Sequence, residues 1–327
     1  MCAGLFFTLM ALLTCSGPVS ATGPAACDDR LGKERSVARI VIDSTCDLPS
    51  SLRERFRILV VPLSVILGGK SYRDGIEIRL DEVYRAMRAG EMPGTAQIRA
   101  DDAKATFSSI LDSGEDLIYL SFSAEMSGTF NLASLVQDEL RSVYSSRRME
   151  IIDSKGGSIG AGLIALQLGL MSEQGFPFDD MLAKGRWMAD HVKYAFTIDD
   201  LKWALQGGRL PARTVASIGG LLNIKPVLDV KNGMLHLSKV VHGTKQSLSA
   251  IVDMTVRAVG NFDDQIIGLA YADDRGKAET VETLLRSALP ACTVLCQRIG
   301  SVLGSHLGIG GVGVFCMDQR PDTYSTL

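Results

Sequence analysis

Among the four histidines, His306 has the sequence neighbours that are most typical of a binding or catalytic site. It stands in the segment Gly304-Ser-His-Leu-Gly-Ile-Gly-Gly-Val-Gly313, whose glycines allow close backbone approach and unusual dihedral angles. An imidazole presented in such a segment can donate a hydrogen bond to an anion, and it titrates near neutral pH. A glycine-rich turn that joins two strands accounts for the same residues without a function. The segment alone does not separate the two interpretations.

Two further segments carry groups that could bind an anion. Ser127-Gly128-Thr129 follows a predicted strand and is expected to begin a helix, where hydroxyls and free N–H groups attract negative charge. Ser127 is equally consistent with a plain helix cap. Arg209, at the end of a predicted helix in Gly207-Gly-Arg-Leu210, could pair with a carboxylate or with an acidic group of a partner. Glycines at a helix end need no function of their own.

The composition favours a globular α/β protein and carries no signature of a metal, nucleotide or nucleic-acid site. The 327 residues contain no Walker loop and no HExxH zinc motif. A net charge of -3 leaves no excess of positive charge for binding nucleic acid. The seven cysteines form no CxxC pair, so we expect free thiols in a reducing, cytoplasmic environment and no cofactor.

Strands alternate with helices in the first half, which is typical of parallel βαβ units. Strands are predicted at 38–43, 58–67, 116–123 and 149–153, with helices between them. Three of these strands end in polar residues, at Asp43-Ser44, Ser121-Phe-Ser123 and Asp153-Ser154. Because ligands of open α/β sheets bind at the carboxyl ends of strands, we expect a site at that edge.

The second half predicts a mixed sheet. Residues 158–172 form an apolar helix that we expect to be buried between layers and to mark the change of domain. Asn232-Gly233, between two alternating runs, is a strong signal for a β-hairpin. We therefore predict an α/β protein with an N-terminal parallel-sheet domain at 36–157 and a C-terminal domain with a mixed sheet at 158–320.

The first 35 residues are ambiguous. Leu5–Leu13 form an apolar run that is too short to span a bilayer, so we expect no transmembrane segment. Val19-Ser20-Ala21 resembles a signal-peptide cleavage site, but no charged residue precedes Asp28. We interpret residues 1–35 as an unstructured or signal-like leader. Export and a mis-assigned start both stay open beside the cytoplasmic prediction.

The order of seven short motifs resembles that of the DegV family. From about residue 37 to about residue 317 they are Asp43-Ser-Thr-Cys-Asp-Leu48, Pro93-Gly-Thr95-Ala-Gln97, Ser123-Ala-Glu-Met-Ser127-Gly-Thr-Phe130, Ile152-Asp-Ser154, Gly207-Gly-Arg-Leu210, Leu222-Asn-Ile-Lys-Pro226 and Ile299-Gly-Ser-Val-Leu-Gly-Ser-His306. Ala96 and Ile98 stand where the family often has serine and proline. Lys239-Val240 is not followed by the family's basic residue.

The resemblance implies a two-domain α/β protein that binds one long-chain fatty acid. Thr95 and Ser127 would hydrogen-bond the carboxylate, and His306 would lie near it. Arg209 would line the head-group region or a face that docks a partner. Further candidates for lining the site are Asp43, Ser44, Gly128 and Thr129. The apolar segments 159–170 and 215–222 are expected to form the tunnel for the chain, where each buried methylene contributes roughly 0.8 kcal/mol.

In the fatty-acid kinase system, members of the family present the fatty acid to a separate ATP-binding kinase subunit, which makes an acyl phosphate. The resemblance therefore implies a carrier, with the fatty acid as its only bound group. Two alternatives stay open. One is a lipid-binding or small-ligand module without a kinase partner. The other is a serine acyl hydrolase with Ser127 as nucleophile and His306 as base, although no third member of a triad is evident.

Overall fold

A parallel sheet forms the centre of the first half, as predicted. The computed structural model describes residues 38–210 and 223–327. The strands of this sheet are β1 (Ala38–Asp43), β2 (Leu59–Val61), β6 (Asp116–Ser121) and β7 (Met149–Asp153), in the order β2-β1-β6-β7. β1 and β6 are buried almost throughout, which explains their nearly continuous apolar sequence.

Four helices accompany the strands of the first half. They are α1 (Ser50–Arg55), α2 (Leu80–Arg88), α3 (Ala100–Asp112) and α4 (Thr129–Val143). Each lies close to the place where the alternating pattern predicts a helix. α4 begins two residues after Ser127, so Ser127 lies in the loop between β6 and α4, beside the sheet edge where the sequence predicts a site.

The single strand predicted at 58–67 is wrong. The segment forms β2 and then β3 (Ser64–Leu67), which belong to different sheets. Pro62 separates them because it has no N–H to donate to a ladder, and the N–H of Leu63 instead donates to Ser44 Oγ at 3.0 Å. β3 lies between β4 (Lys70–Arg73) and β5 (Gly94–Ala96) in an antiparallel sheet that the sequence analysis missed.

The long apolar helix is α5 (Ser158–Glu173), and it is buried on every side from its first residue to Met171. It contacts β1 of the parallel sheet and, on the other side, strands of the second sheet. This position explains why the helix has no polar face. α6 (Phe178–His191) follows and packs against both α5 and β7.

The second half contains a mixed sheet of six strands, as predicted. They are β8 (Val192–Thr197), β9 (Ile224–Lys231), β10 (Met234–His242), β11 (Ile266–Tyr271), β12 (Thr293–Arg298) and β13 (Val312–Met317), in the order β10-β9-β8-β13-β11-β12. β11 and β12 are parallel, and the other neighbours are antiparallel. The predicted hairpin joins β9 to β10 through Asn232 and Gly233, with φ of 49° and 77°.

The described helices of the second half that remain are α7 (Lys202–Gln206), α8 (Thr244–Val259), α9 (Arg275–Ala288) and α10 (Ser301–Leu307). α8 and α9 cover one face of the six-stranded sheet with an apolar cluster. α10 carries His306, so this histidine lies on a helix and not in a turn between two strands. The glycine-rich turn follows the helix and leads into β13.

All described residues belong to one compact unit. The domain boundary predicted after residue 157 stays a prediction. The predicted leader at 1–35 lies outside the described residues, and so does the predicted tunnel segment 215–222. Within the described ranges, no helix is long and apolar enough to cross a membrane.

Candidate functional site

The structure brings Thr95 and His306 into direct contact. Thr95 lies in the middle of β5, and His306 lies near the end of α10. The threonine Oγ1 atom is 2.7 Å from the imidazole Nε2 atom. Both α10 and β5 contact β3, so the small sheet that the sequence analysis missed is what positions this pair.

His306 is held in an environment that favours its neutral form. Burial and, to a smaller extent, the nearby charge of Arg209 together lower the pKa of the imidazole to about 4. Within the described residues, the Nδ1 atom is buried and has no hydrogen-bond partner. It lies against Gly207, where a Cβ atom would be only 2.0 Å away. His306 is therefore an uncharged group at neutral pH, with one nitrogen engaged by Thr95.

Arg209 joins the end of α7 to the loop before α4. Its Nε–H donates to the carbonyl oxygen of Met126 at 3.2 Å, and Nη1 donates to the carbonyl oxygen of Gly207. The side chain lines the same cavity as Thr95 and His306. The guanidinium thus supplies positive charge close to the Thr95–His306 pair.

Ser127 lies in the loop that leads into α4, and it also lines this cavity. Its Oγ atom accepts a hydrogen bond from the N–H of Thr129 at 3.2 Å and lies 2.9 Å from Thr129 Oγ1. The N-cap position of the helix is Gly128, so Ser127 lies one residue before it. Ser127 is therefore not the plain helix cap that the sequence left open, and its hydroxyl group lies at the cavity.

The cavity is largely apolar. It holds about 840 Å³ of space, including solvent at its mouth. Its polar side chains are few, whereas most of the wall is aliphatic or aromatic. The apolar lining residues are Leu63, Phe122, Met126, Phe196, Ile198, Val230, Leu235, Ile299, Val302, Leu303, Leu307, Val312 and Phe315. Such a space fits an elongated apolar molecule with a small polar head.

Four candidate lining residues lie behind the cavity wall. The Asp43 carboxylate is buried and accepts hydrogen bonds from Thr45 and from the N–H of Phe122, so it fixes the end of β1. Ser44 accepts the bond from Leu63 described above. Thr129 is fully buried. A Cβ atom at Gly128 would lie 2.0 Å from Gln97 Oε1. These residues support the site, but they do not line its cavity.

Asp47 is a supporting residue that the sequence analysis did not single out. Its carboxylate accepts hydrogen bonds from Ser158 Oγ at 2.5 Å and from the N–H of Gly300 at 2.8 Å. It thereby ties the start of α5 to the start of α10. Burial raises the pKa of this carboxyl group to about 7, although the two hydrogen bonds act in the opposite direction. The motif that resembles the DegV family thus positions the helix that carries His306.

The predicted tunnel wall at 159–170 is wrong. None of residues 159–170 lines the cavity, and only Gly157 and Ser158, which directly precede them, do so. The rest of α5 is packed between the two sheets. The wall is instead provided by β8 and β13, and it includes Tyr194 and Thr197. The sequence analysis missed β8, although the β-branched and aromatic residues of 192–197 are a strand signal.

The geometry does not favour a serine hydrolase. His306 Nε2 is engaged by Thr95, and the hydroxyl of Ser127 is engaged by Thr129. A triad also needs a third group that orients the imidazole through its other nitrogen. Among the described residues, Nδ1 of His306 has no such partner. The arrangement is suited to holding a polar head group by hydrogen bonds.

The fold and the site define an α/β protein with an internal apolar binding cavity. The sequence pattern described as "Uncharacterised protein, DegV family" matches residues 38–319. A DegV domain-containing protein of Caldanaerobacter subterraneus is 31% identical over 276 residues, which cover 84% of this chain and 97% of that protein. The chain belongs to the DegV family.

Solved structures show the same fold. A DegV family protein from Thermus thermophilus, described for its fatty acid binding, is 30% identical to this chain and has a TM-score of 0.77. The match covers 85% of this chain and 98% of that protein. The Fak B3 protein of the fatty acid kinase of Streptococcus pneumoniae, loaded with linoleic acid, has a TM-score of 0.76 over 86% of this chain and 100% of its own. Its identity of 20% supports the fold alone. The predicted family and fold class are confirmed.

Proposed function

We propose that this protein binds one long-chain fatty acid in the apolar cavity, with the carboxylate at Thr95, Ser127 and His306. The observation that carries the proposal is the Thr95–His306 pair, which places hydrogen-bonding groups on the wall of an otherwise apolar space. The fatty acid binding described for the Thermus thermophilus relative supports the same ligand class.

The head group is held by a short chain of donors. We assign the proton of the neutral His306 to Nε2, which then donates to Thr95 Oγ1 and leaves the hydroxyl proton of Thr95 free to donate to the carboxylate. With the Thr129 hydroxyl as donor to Ser127 Oγ, the Ser127 hydroxyl proton is free to donate a second hydrogen bond to the carboxylate. A carboxylate taken from water into an apolar cavity needs such partners because an unpaired buried charge is costly.

The apolar wall provides most of the affinity. Each methylene removed from water contributes roughly 0.8 kcal/mol, so a long acyl chain needs only a few polar contacts for tight binding. The protein then acts as a carrier and carries out no covalent step itself. No cofactor beyond the bound fatty acid is part of the proposal.

The proposed partner is an ATP-binding fatty acid kinase subunit. The family to which the chain belongs is the one whose members present a fatty acid in the fatty-acid kinase system, and this motivates the partner's class. In that reaction a carboxylate oxygen attacks the γ-phosphorus of ATP, a new P–O bond forms, and the bond to the β-phosphate oxygen breaks. ADP leaves and an acyl phosphate forms. The carrier's part is to hold the carboxylate in one orientation at the mouth of the cavity.

Ligand recognition is tested by titrating delipidated protein with palmitic acid and, separately, with methyl palmitate. We expect the acid to bind more tightly because the ester carries no charge for the hydroxyls of Thr95 and Ser127 to stabilise. The preference should shrink in the Thr95→Ala variant. Equal binding of acid and ester by the native protein would contradict recognition of the carboxylate.

The kinase proposal is tested with a purified fatty acid kinase subunit, ATP and loaded carrier. We expect acyl phosphate formation with the native protein, and slower turnover at unchanged lipid occupancy with Arg209→Ala. Arg275→Ala, an exposed arginine of α9, is the matched control. Loss of lipid from the Arg209→Ala protein would make Arg209 a ligand residue. A loaded native protein that supports no turnover would favour a lipid-binding module without a kinase.

A further inference from the structure

Tyr194 lies between the apolar cavity and a second, polar cleft. Among the described residues, only the side chains of Tyr194 and Val230 border both spaces. The polar cleft holds about 1560 Å³, including solvent at its mouth, and its wall includes Asp153, Lys193 and Lys231. The two residues therefore separate an apolar space from a charged one.

The partition lies where β8 and β9 separate. The two strands pair at Phe196 with Leu228 and at Thr197 with Val227, and the described ladder ends there. The same antiparallel register, continued by two residues, brings Tyr194 opposite Val230. Beyond the last pair β8 stays paired with β13 but no longer with β9. Tyr194 and Val230 therefore lie where these two strands are not joined by backbone hydrogen bonds.

The ring of Tyr194 is fixed by its packing. It meets the ring of Phe315 edge-on, with centroids 5.5 Å apart and an interplanar angle of 87°. Gly156 and Gly160 lie directly against it, since a Cβ atom on either would come within 2.1 Å and 2.6 Å of the tyrosine. The buried hydroxyl has no hydrogen-bond partner within the described residues. The volume of the ring, and not its hydroxyl, makes the partition.

We infer that Tyr194 is the end wall of the acyl-chain cavity and sets the longest chain that the protein accepts. The inference rests on the proposed fatty acid function and deepens it. A methyl end that stops before Tyr194 stays among apolar side chains. A longer chain would have to displace the ring and enter a cleft lined by ionised groups and water, where further methylenes gain little from burial.

The test measures the affinity of delipidated protein for saturated fatty acids of increasing even chain length. In Tyr194→Ala we expect the optimum to move to longer acids, because two newly accommodated methylenes shift relative affinity by about tenfold. Tyr194→Phe keeps the ring and should keep the native optimum. Lys193→Ala is a second control, since the neighbouring Lys193 borders only the polar cleft.

Two further variants keep the test decisive if Tyr194→Ala does not fold. Tyr194→Leu should move the optimum in the same direction by a smaller step. Val230→Phe adds volume from the opposite side and should move the optimum to shorter acids. An unchanged optimum in folded Tyr194→Ala or Tyr194→Leu would overturn the inference while the fatty acid function stands. If the native protein binds no fatty acid at all, the proposed function itself fails.

Discussion

The Oγ1 atom of Thr95 lies 2.7 Å from the Nε2 atom of His306, although 211 positions separate the two residues along the chain. One comes from a short edge strand of the first half, and the other comes from a helix of the second half. The contact exists because α10 packs against the small antiparallel sheet. The polar part of the cavity wall therefore forms through tertiary packing and is not encoded by any local motif.

Removing the Thr95 hydroxyl should weaken fatty acid binding. Thr95→Ala leaves the carboxylate and the imidazole without a shared partner, so we expect affinity to fall by roughly 1–3 kcal/mol. Thr95→Ser keeps the hydroxyl and should stay close to the native protein. Titration calorimetry on delipidated proteins measures both. Equal losses in the two variants would mean that the methyl group and not the hydroxyl matters.

Ser127→Ala should also weaken binding, again by roughly 1–3 kcal/mol, because a buried carboxylate oxygen loses its donor. The variant also removes the hydrogen bond from the N–H of Thr129, so its thermal stability is measured in parallel. Ser142→Ala, on the exposed face of the same helix, is the control. Native lipid occupancy in a folded Ser127→Ala protein would remove Ser127 from the site.

Asp47 should make the protein less stable as pH rises. Its pKa is 3.8 in the ordinary state and about 7 in the fold, so the unfolded chain releases this proton first. The stabilising contribution is fully present below pH 3.8 and is lost as pH rises to about 7. A shift of about three units corresponds to roughly 4 kcal/mol. Asp47→Asn has no carboxyl group to ionise and should not lose this stability. In urea unfolding, the free energy of unfolding of the variant relative to that of the native protein should therefore increase between pH 4 and pH 7.

His306 should make the protein less stable as pH falls, which is opposite to the effect of Asp47. Its pKa falls from 6.5 to about 4 on folding, so the unfolded chain takes up this proton first. Stability is therefore fully present above pH 6.5 and is lost as pH falls toward 4. Compared with the native protein, His306→Gln should gain stability as pH falls through this window. A pH-independent difference between the two proteins would contradict the buried, neutral imidazole.

The architecture was largely predictable because its signals are local. Buried parallel strands such as β1 and β6 have continuous apolar sequences, and Asn232-Gly233 specifies its hairpin through two positive φ angles. The single strand at 58–67 failed because an apolar run does not reveal a change of sheet at Pro62. β8 was missed although its pattern was present in the sequence.

Local sequence singled out His306, Ser127 and Arg209 one by one, but only the family resemblance predicted that they belong with Thr95 to one site. No spacing rule places Thr95 beside His306, since the distance depends on how β5 and α10 pack. The cavity wall was assigned to α5 because that helix is apolar, yet complete burial between two sheets leaves it no free surface. Tyr194 belongs to none of the motifs in the sequence, and only the tertiary structure shows that it lies where β8 and β9 separate.

Native mass spectrometry of the purified protein, followed by solvent extraction, tests the central claim most directly. The account predicts a mass increment that matches one long-chain fatty acid at near-unit stoichiometry, and a diminished increment in Thr95→Ala. A ligand-free mass for the native protein, with no uptake when fatty acid is added, would contradict it.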